Sequence, residues 1–462
     1  MGYAVSIPYG NANRYDLLCI EGLALALKSG DINYFASSSD DTFVGGGVSV
    51  NSGTTLTLDI SDAIGVPQQI LKDVQSYYDS GVKGSGNIVK QGAGILNLVG
   101  DNSDFDGKTT VKAGKLLYSA NDSTNRYLNG TTEISNNAIL EINVADGVAN
   151  QTVKGISSTA TADSTAQFIK TGNGNAVITG NNSGYYGTTT VSGGVLEYNV
   201  QKYTDKYVSG NTVINDGATF IANIPDNDME SVSVTGQQVS NISGSGDFEK
   251  QGTGRLDITG DNSGFSGDTT ITDGVLAYEN DGLNQYVSGN TIIEEDGTFI
   301  YIASVNGDLS KVSGTGQIIK QGDRVLNIKG DNTNFTGAVD VETGKMSYVT
   351  NEGDTFYNAE RYNIDGELDI TNTAEDTVEL TILTGTGEIN KSGVGTLELG
   401  SNNGGYSGDI NVNAGVLRYT KPFEWKYSWM AYAIWLRSLS TAPKVLVRGR
   451  MCATVLRYSK DV

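Results

Sequence analysis

Apolar and polar residues alternate with period two in short runs, and glycine and asparagine break the runs. Around residue 256, Leu256 and Ile258 share one face, and Arg255, Asp257 and Thr259 share the other. Gly260-Asp261-Asn262-Ser263-Gly264 interrupts. Thr269 and Ile271 then resume the alternation, Gly274 breaks it again, and Leu276 and Tyr278 close it. Such alternation predicts strands with one buried and one wet face. Glycine supplies turns with positive φ, and asparagine tolerates that region next best. The segment reads strand, turn, strand, turn, strand.

The segment recurs five times. A Lys-x-Gly step stands at Lys90/Gly92, Lys170/Gly172, Lys250/Gly252, Lys320/Gly322 and Lys391/Gly393, with lysine spacings of 80, 80, 70 and 71 residues. The turn asparagine is Asn102, Asn182, Asn262, Asn332 or Asn403, followed by Phe105, Tyr185, Phe265, Phe335 or Tyr406. Gly107, Gly187, Gly267, Gly337 and Gly408 come next. Then follow Gly114, Gly194, Gly274, Gly344 and Gly415. The closing pair is Leu116/Tyr118, Leu196/Tyr198, Leu276/Tyr278, Met346/Tyr348 or Leu417/Tyr419. A partial copy begins at Leu23, Leu25 and Leu27 and ends with Ile32 and Tyr34.

Strands this short cannot bury enough area as lone hairpins, so the repetition predicts an all-β, single-stranded solenoid of stacked coils. A coil of three short strands takes roughly 20–25 residues, which makes each copy three or four coils. Equivalent asparagines then lie about 14–19 Å apart and hold local turns rather than a ladder. Asn211–Asn215 with Ala218–Ile224, and Asn290–Glu294 with Thr298–Ile302, supply further rungs. Residues 68–80 read as a brief helix or a loop. The chain divides into an atypical N-terminal segment, 1–22, a solenoid over 23–420, and an atypical basic tail, 421–462.

Composition narrows the chemistry. The chain has 462 residues, 60 glycines, five prolines, no histidine and a net charge of −22. Without histidine there is no Ser-His-Asp or Cys-His triad, no His-bound zinc and no imidazole shuttle. Cys19 and Cys452 stand near opposite ends and form no framework. The acidity disfavours nucleic acid as a partner. No apolar run has the roughly 20 residues of a membrane helix, and no secretory signal is visible at the start. Residues 421–462 carry a net charge of +6, against −28 for the rest, and hold Trp425, Trp429 and Trp435. No period or turn chemistry continues into them, so this tail reads as foreign to the fold, such as an out-of-frame end.

Local motifs add no site. Gly107-Lys108-Thr109 lacks the upstream glycine of a phosphate loop. Asp40-Asp41, Asp226/Asp228 and Glu294-Glu295-Asp296 have the oxygen chemistry for Ca²⁺ but read as solvated loops. Asp257 and Asp261 are glycosidase carboxylates by type only, because the equivalents of Asp257 are Asn97, Val177, Asn327 and Glu398. The repeated lysine reads as a surface charge beside a turn. Tyr278 and its equivalents fall on the inward phase. No catalytic, cofactor-binding or metal residue is expected.

Residues 244–271, Gly-Ser-Gly-Asp-Phe-Glu-Lys-Gln-Gly-Thr-Gly-Arg-Leu-Asp-Ile-Thr-Gly-Asp-Asn-Ser-Gly-Phe-Ser-Gly-Asp-Thr-Thr-Ile, resemble the autotransporter-associated β-strand repeat, also called the passenger-associated transport repeat. Five copies cover 84–419. The departures are Ser164/Ala166 for the leading glycine pair, Asp323-Arg324 after Gly322, and Ser401 for a glycine. The resemblance implies a right-handed parallel β-helix passenger of Gram-negative type V secretion. It implies export through an outer-membrane β-barrel translocator, absent from this chain, and stepwise folding at the cell surface. Neither a signal nor a barrel is recognisable, so the chain reads as a passenger fragment. Three functions follow, in order: a non-enzymatic stalk, an adhesin for glycans or host proteins, and a β-helix polysaccharide hydrolase or lyase.

Overall fold

The computed structural model describes residues 25–27, 31–37, 47–62, 68–77, 86–160, 164–201, 204–225, 237–284, 286, 289–350, 355–419 and 444–447. These residues form strands and turns, with no helix. Two compact units divide the chain, Met1–Tyr278 with Leu283–Ile292, and Glu279–Gly282 with Ile293–Val462. Each is a solenoid of parallel strands.

In the first unit a ladder runs through Asp31–Ala36, Thr55–Ile60, Asn87–Gln91, Lys108–Val111 and Thr131–Ile134. A second runs through Ile95–Val99, Lys115–Ala120, Ile139–Val144, Gln167–Thr171 and Thr188–Val191. Stacked partners such as Ile88 and Thr109, or Thr109 and Thr132, lie 21 and 23 residues apart along the chain. A coil therefore has the expected length. Its make-up differs from the expected three strands, because two strands and a loop form most coils. The loops stack as a third side, where Asp101 bridges Arg126. The long strand Gln151–Ser158 turns a corner: its first half pairs with Asn175–Thr179 and its second half with Thr131–Ile134.

This corner strand sets the phase of the repeat. The Lys90 strand lies in the first ladder, and the Lys170 strand in the second. The Lys250 strand, Asp247–Gln251, lies in a third, above Asn175–Thr179, Gly194–Asn199 and Ala218–Asn223. Each copy is thus three whole turns plus one side. The second unit steps the same way. The Lys320 strand pairs with Thr291–Ala303, whereas the Lys391 strand stacks above Val325–Lys329, Lys345–Val349 and Glu367–Asn372. Within each unit equivalent asparagines therefore occupy different sides, a stronger bar to a ladder than distance.

The inward phase builds the core. Leu56, Leu58 and Ile60, Leu96 and Leu98, Leu140 and Ile142, and Leu256 and Ile258 are all buried. Each such side chain contributes roughly 1.5–3 kcal/mol on leaving water. Tyr118, Tyr198, Tyr278 and Tyr348 are buried as the alternation predicts, while Tyr419 at the end of the pattern is 37% exposed. Glycine is required where rungs nearly touch: a Cβ on Gly107 would stand 2.0 Å from the carbonyl oxygen of Gly86.

Three expectations meet the structure at the edges of the pattern. Leu25–Leu27 and Asp31–Ala36 are strands, as the partial copy requires. Residues 68–80, read as a brief helix or a loop, hold a strand over 69–77, the rest of their described part being Gln68 alone. Gln69–Tyr77 is a corner-turning strand equivalent to Gln151–Ser158, and its bend breaks the period-two signal. Lys444–Val447, in the basic tail, pairs in parallel with Val416–Tyr419. Residues 1–22 and the rest of the tail lie outside the described residues.

Candidate functional site

The repeated lysine is buried, not a surface charge. Lys90, Lys170, Lys250, Lys320 and Lys391 all have 0% exposure. Each lies on the inward phase of its strand, in step with Ile88, Phe168, Phe248, Ile318 or Ile389. The ammonium finds its partners in the backbone. Lys90 Nζ donates to the carbonyls of Gln91 at 2.9 Å, Gly92 at 2.7 Å and Ala113 at 3.0 Å. Lys170 repeats this with Thr171, Gly172 and Gly193 at 2.8, 2.8 and 3.0 Å. Lys250, Lys320 and Lys391 each make the same three bonds.

Three donors on the ammonium meet three acceptors, so the buried charge is fully hydrogen-bonded. Gly92, with φ 73°, adopts the left-handed turn that accompanies two successive carbonyls facing one amine. The third carbonyl, Ala113, belongs to the next rung. The cage therefore ties adjacent rungs together. Burial pushes the Lys90 amine down to about 8, partly opposed by Asp59. Lys170 falls to about 8 through burial alone. Lys250, Lys320 and Lys391 do likewise, with Asp273, Asp323 and Asp376 pulling the other way. The available sequence signal was the inward phase of the lysine; the default expectation that lysine is solvated outweighed it.

The asparagine does more than hold its own turn. Asn102 Nδ2 lies 3.1 Å from the carbonyls of Val99, Gly100 and Arg126, which share its two N–H donors. Its Oδ1 accepts the backbone N–H of Val74 at 2.9 Å. Three rungs thus meet at one side chain. Asn182, Asn262, Asn332 and Asn403 likewise accept from Ile156, Ile242, Val312 and Leu383 of the preceding rung.

The outer faces carry ordinary polar pairing. Asp257 is held by Arg255 at 2.8 Å. Asp261 accepts from the hydroxyl and N–H of Ser263, bonds that lower its pKa. A carboxyl held ionised in this way does not serve as the acid of a glycosidase pair. Glu294, Glu295 and Asp296 are exposed, whereas Asp40-Asp41 and Asp226/Asp228 lie outside the described residues. Among the described residues no cluster of acidic or thiol side chains is arranged to hold a metal ion. No helix there is long and apolar enough to cross a membrane. In the second unit Lys345 bonds Glu367 and Asp369, and Asn390 continues the row by donating to both carboxylates. Asn411 follows, donating to Glu388 and Asn390.

Comparison with known proteins finds likenesses to the repeat and to two longer chains. The model of the passenger-associated-transport-repeat matches residues 88–117, 168–197, 248–277 and 389–418. Each matched segment contains one caged lysine and one bridging asparagine. The copy around Lys320 lies outside the matched segments yet builds the same cage. The chain is 29% identical over 209 residues to the adhesin BmaC autotransporter of Brucella suis, covering 39% of this chain and 6% of that protein. It is 25% identical over 279 residues to the uncharacterized lipoprotein YdeK of Escherichia coli, covering 57% of this chain and 20% of that one. The chain thus spans a minor part of the length of either relative. No solved structure gives a significant match.

Proposed function

We propose, from the premise that this chain is autotransporter passenger material carrying passenger-associated transport repeats, that it serves as a non-enzymatic stalk at the bacterial surface. It crosses the outer membrane through a β-barrel translocator and folds rung by rung outside. One observation carries the reading: every lysine cage draws its third carbonyl from the following rung. A rung docking on its neighbour completes a buried, charge-assisted bond set at once, and that favours growth by addition.

The test is to place residues 23–420 behind a secretory signal and ahead of an autotransporter barrel in a Gram-negative host. Surface display, read by protease sensitivity on intact cells, is expected. Substituting the lysines of two adjacent copies by methionine should lower the folded surface fraction severalfold while leaving total protein unchanged. Retention of the unsubstituted passenger in the periplasm overturns the export reading. Cleavage of an acidic polysaccharide by the purified chain overturns the non-enzymatic one.

The likeness to an autotransporter adhesin favours a second reading, in which the solvent faces bind a glycan or host protein. Binding to host cells that survives removal of the flanking passenger would support it.

A further inference from the structure

We propose, resting on the second, glycan-binding reading, that an open groove on the second copy of the first unit is a subsite for an acidic saccharide. The groove has a volume of about 340 Å³ and spans three successive rungs. Ser183 lines the first, Lys206 and Ser209 the second, and Gln238 and Ser240 the third, with Val208 as an apolar floor. Rungs are about 4.8 Å apart, close to the advance of a sugar chain by one ring, so polar groups recur at the step of the ligand.

The chemistry of the lining selects the charge. Ser183 Oγ donates to Asn181 Oδ1 and Ser209 Oγ donates to the Ser183 carbonyl, so both hydroxyl protons are committed and the oxygens remain as acceptors. They suit sugar hydroxyls. Gln238 is exposed and offers an amide, and Ser240 a hydroxyl, at the far end. Lys206 is half-buried and makes no ion pair among the described residues. In a chain of net charge −22 an ammonium with no ion-pair partner among the described residues, set in a concave polar groove, marks the position of a ligand carboxylate.

The equivalent face of the first copy supplies the contrast. There Arg126 is turned onto the carbonyls of Ser123 and Asn125, and Lys154 onto Asn129. Those cations are spent on the protein itself. Another groove, about 420 Å³, in the second unit, is lined by Glu367, Glu388 and Asp409 among others and repels an acidic sugar.

The experiment titrates the full chain with tetragalacturonate by calorimetry, using neutral maltotetraose as the matched control. Tetragalacturonate should bind, more weakly as salt is added, and maltotetraose at least tenfold more weakly. Lys206→Met should lower tetragalacturonate affinity at least tenfold, and Gln238→Ala with Ser240→Ala severalfold, with the unfolding midpoint unchanged. Glu388→Gln should leave binding as it was. No binding of tetragalacturonate, equal binding of the neutral sugar, or full affinity in a folded Lys206→Met chain would each overturn the proposal.

Discussion

The copies around Lys250 and Lys320 build the same cage from different sequences. In the first, Gly252-Thr253-Gly254 follows the lysine strand, and a Cβ on Gly254 would stand 2.6 Å from Pro225 O and 2.9 Å from Ile224 Cγ2. In the second, Arg324 occupies the matching place. The residue beneath it is Ala303, not isoleucine, and has no γ carbon to strike. The backbone bond is nonetheless preserved: Gly254 N–H donates to Ile224 O at 2.8 Å, and Arg324 N–H to Ala303 O at 3.1 Å. Both copies keep the positive φ of the first glycine, 72° at Gly252 and 80° at Gly322. What the fold demands is the lysine with its left-handed glycine. The later glycine answers to the rung below, where the Pro225 carbonyl and the Ile224 side chain stand closest to its place.

This contrast breaks most sharply at the shared element. Lys250→Met and Lys320→Met each take the ammonium from three part-buried carbonyls, a loss softened by removing a buried charge and, at Gln251 O, by the Ile224 N–H it also accepts. A cost of about 3 kcal/mol is expected in both, read by urea unfolding and by amide exchange at residues 251 and 252 or 321 and 322. A copy that tolerates the change would show that its cage is dispensable.

Proton linkage comes next. The caged lysines sit near 8 against 10.5 for the free amine. Between those values the unfolded chain binds more protons than the folded one, so stability rises with pH across that window. The gain is on the order of 2 kcal/mol per copy before other groups intervene. Burial raises the phenols of Tyr118, Tyr198, Tyr207 and Tyr357, so the unfolded chain loses those protons first above pH 10 and the trend reverses. An unfolding series from pH 7 to 11 should therefore peak near pH 10. A flat series would mean that the three carbonyls restore the lysine to its ordinary value.

Smaller effects test the conditional glycine. Gly254→Arg should cost about 2 kcal/mol through overlap with the rung below, and Arg324→Gly less than about 1. Combining Gly254→Arg with Ile224→Ala should be less damaging than the sum of the two by about 0.5–1 kcal/mol. Strict additivity would assign the clash to the Pro225 carbonyl alone.

The solenoid was legible because period-two alternation and turn glycines repeat five times, and stacking is the one way such strands bury their faces. Tyr278 was legible for the same reason. Lys250 was not, although it shares the phase of Phe248, because sequence shows neither backbone carbonyls nor where they point. Asn262 showed its turn but not its bond to Ile242, since the partner is contributed by another rung. Gln69–Tyr77 escaped because a strand that changes sides midway changes its inward phase as well. The groove beside Lys206 has no local signature, since it is assembled from three rungs.

The extra side in every copy makes repeat number a matter of orientation. Removing one whole copy within a unit shortens the stack and also swings every later loop a third of a revolution about the axis. Removing three restores the original bearing. Duplication and loss of copies, the commonest accidents of repetitive genes, thus re-aim a surface without altering any residue on it.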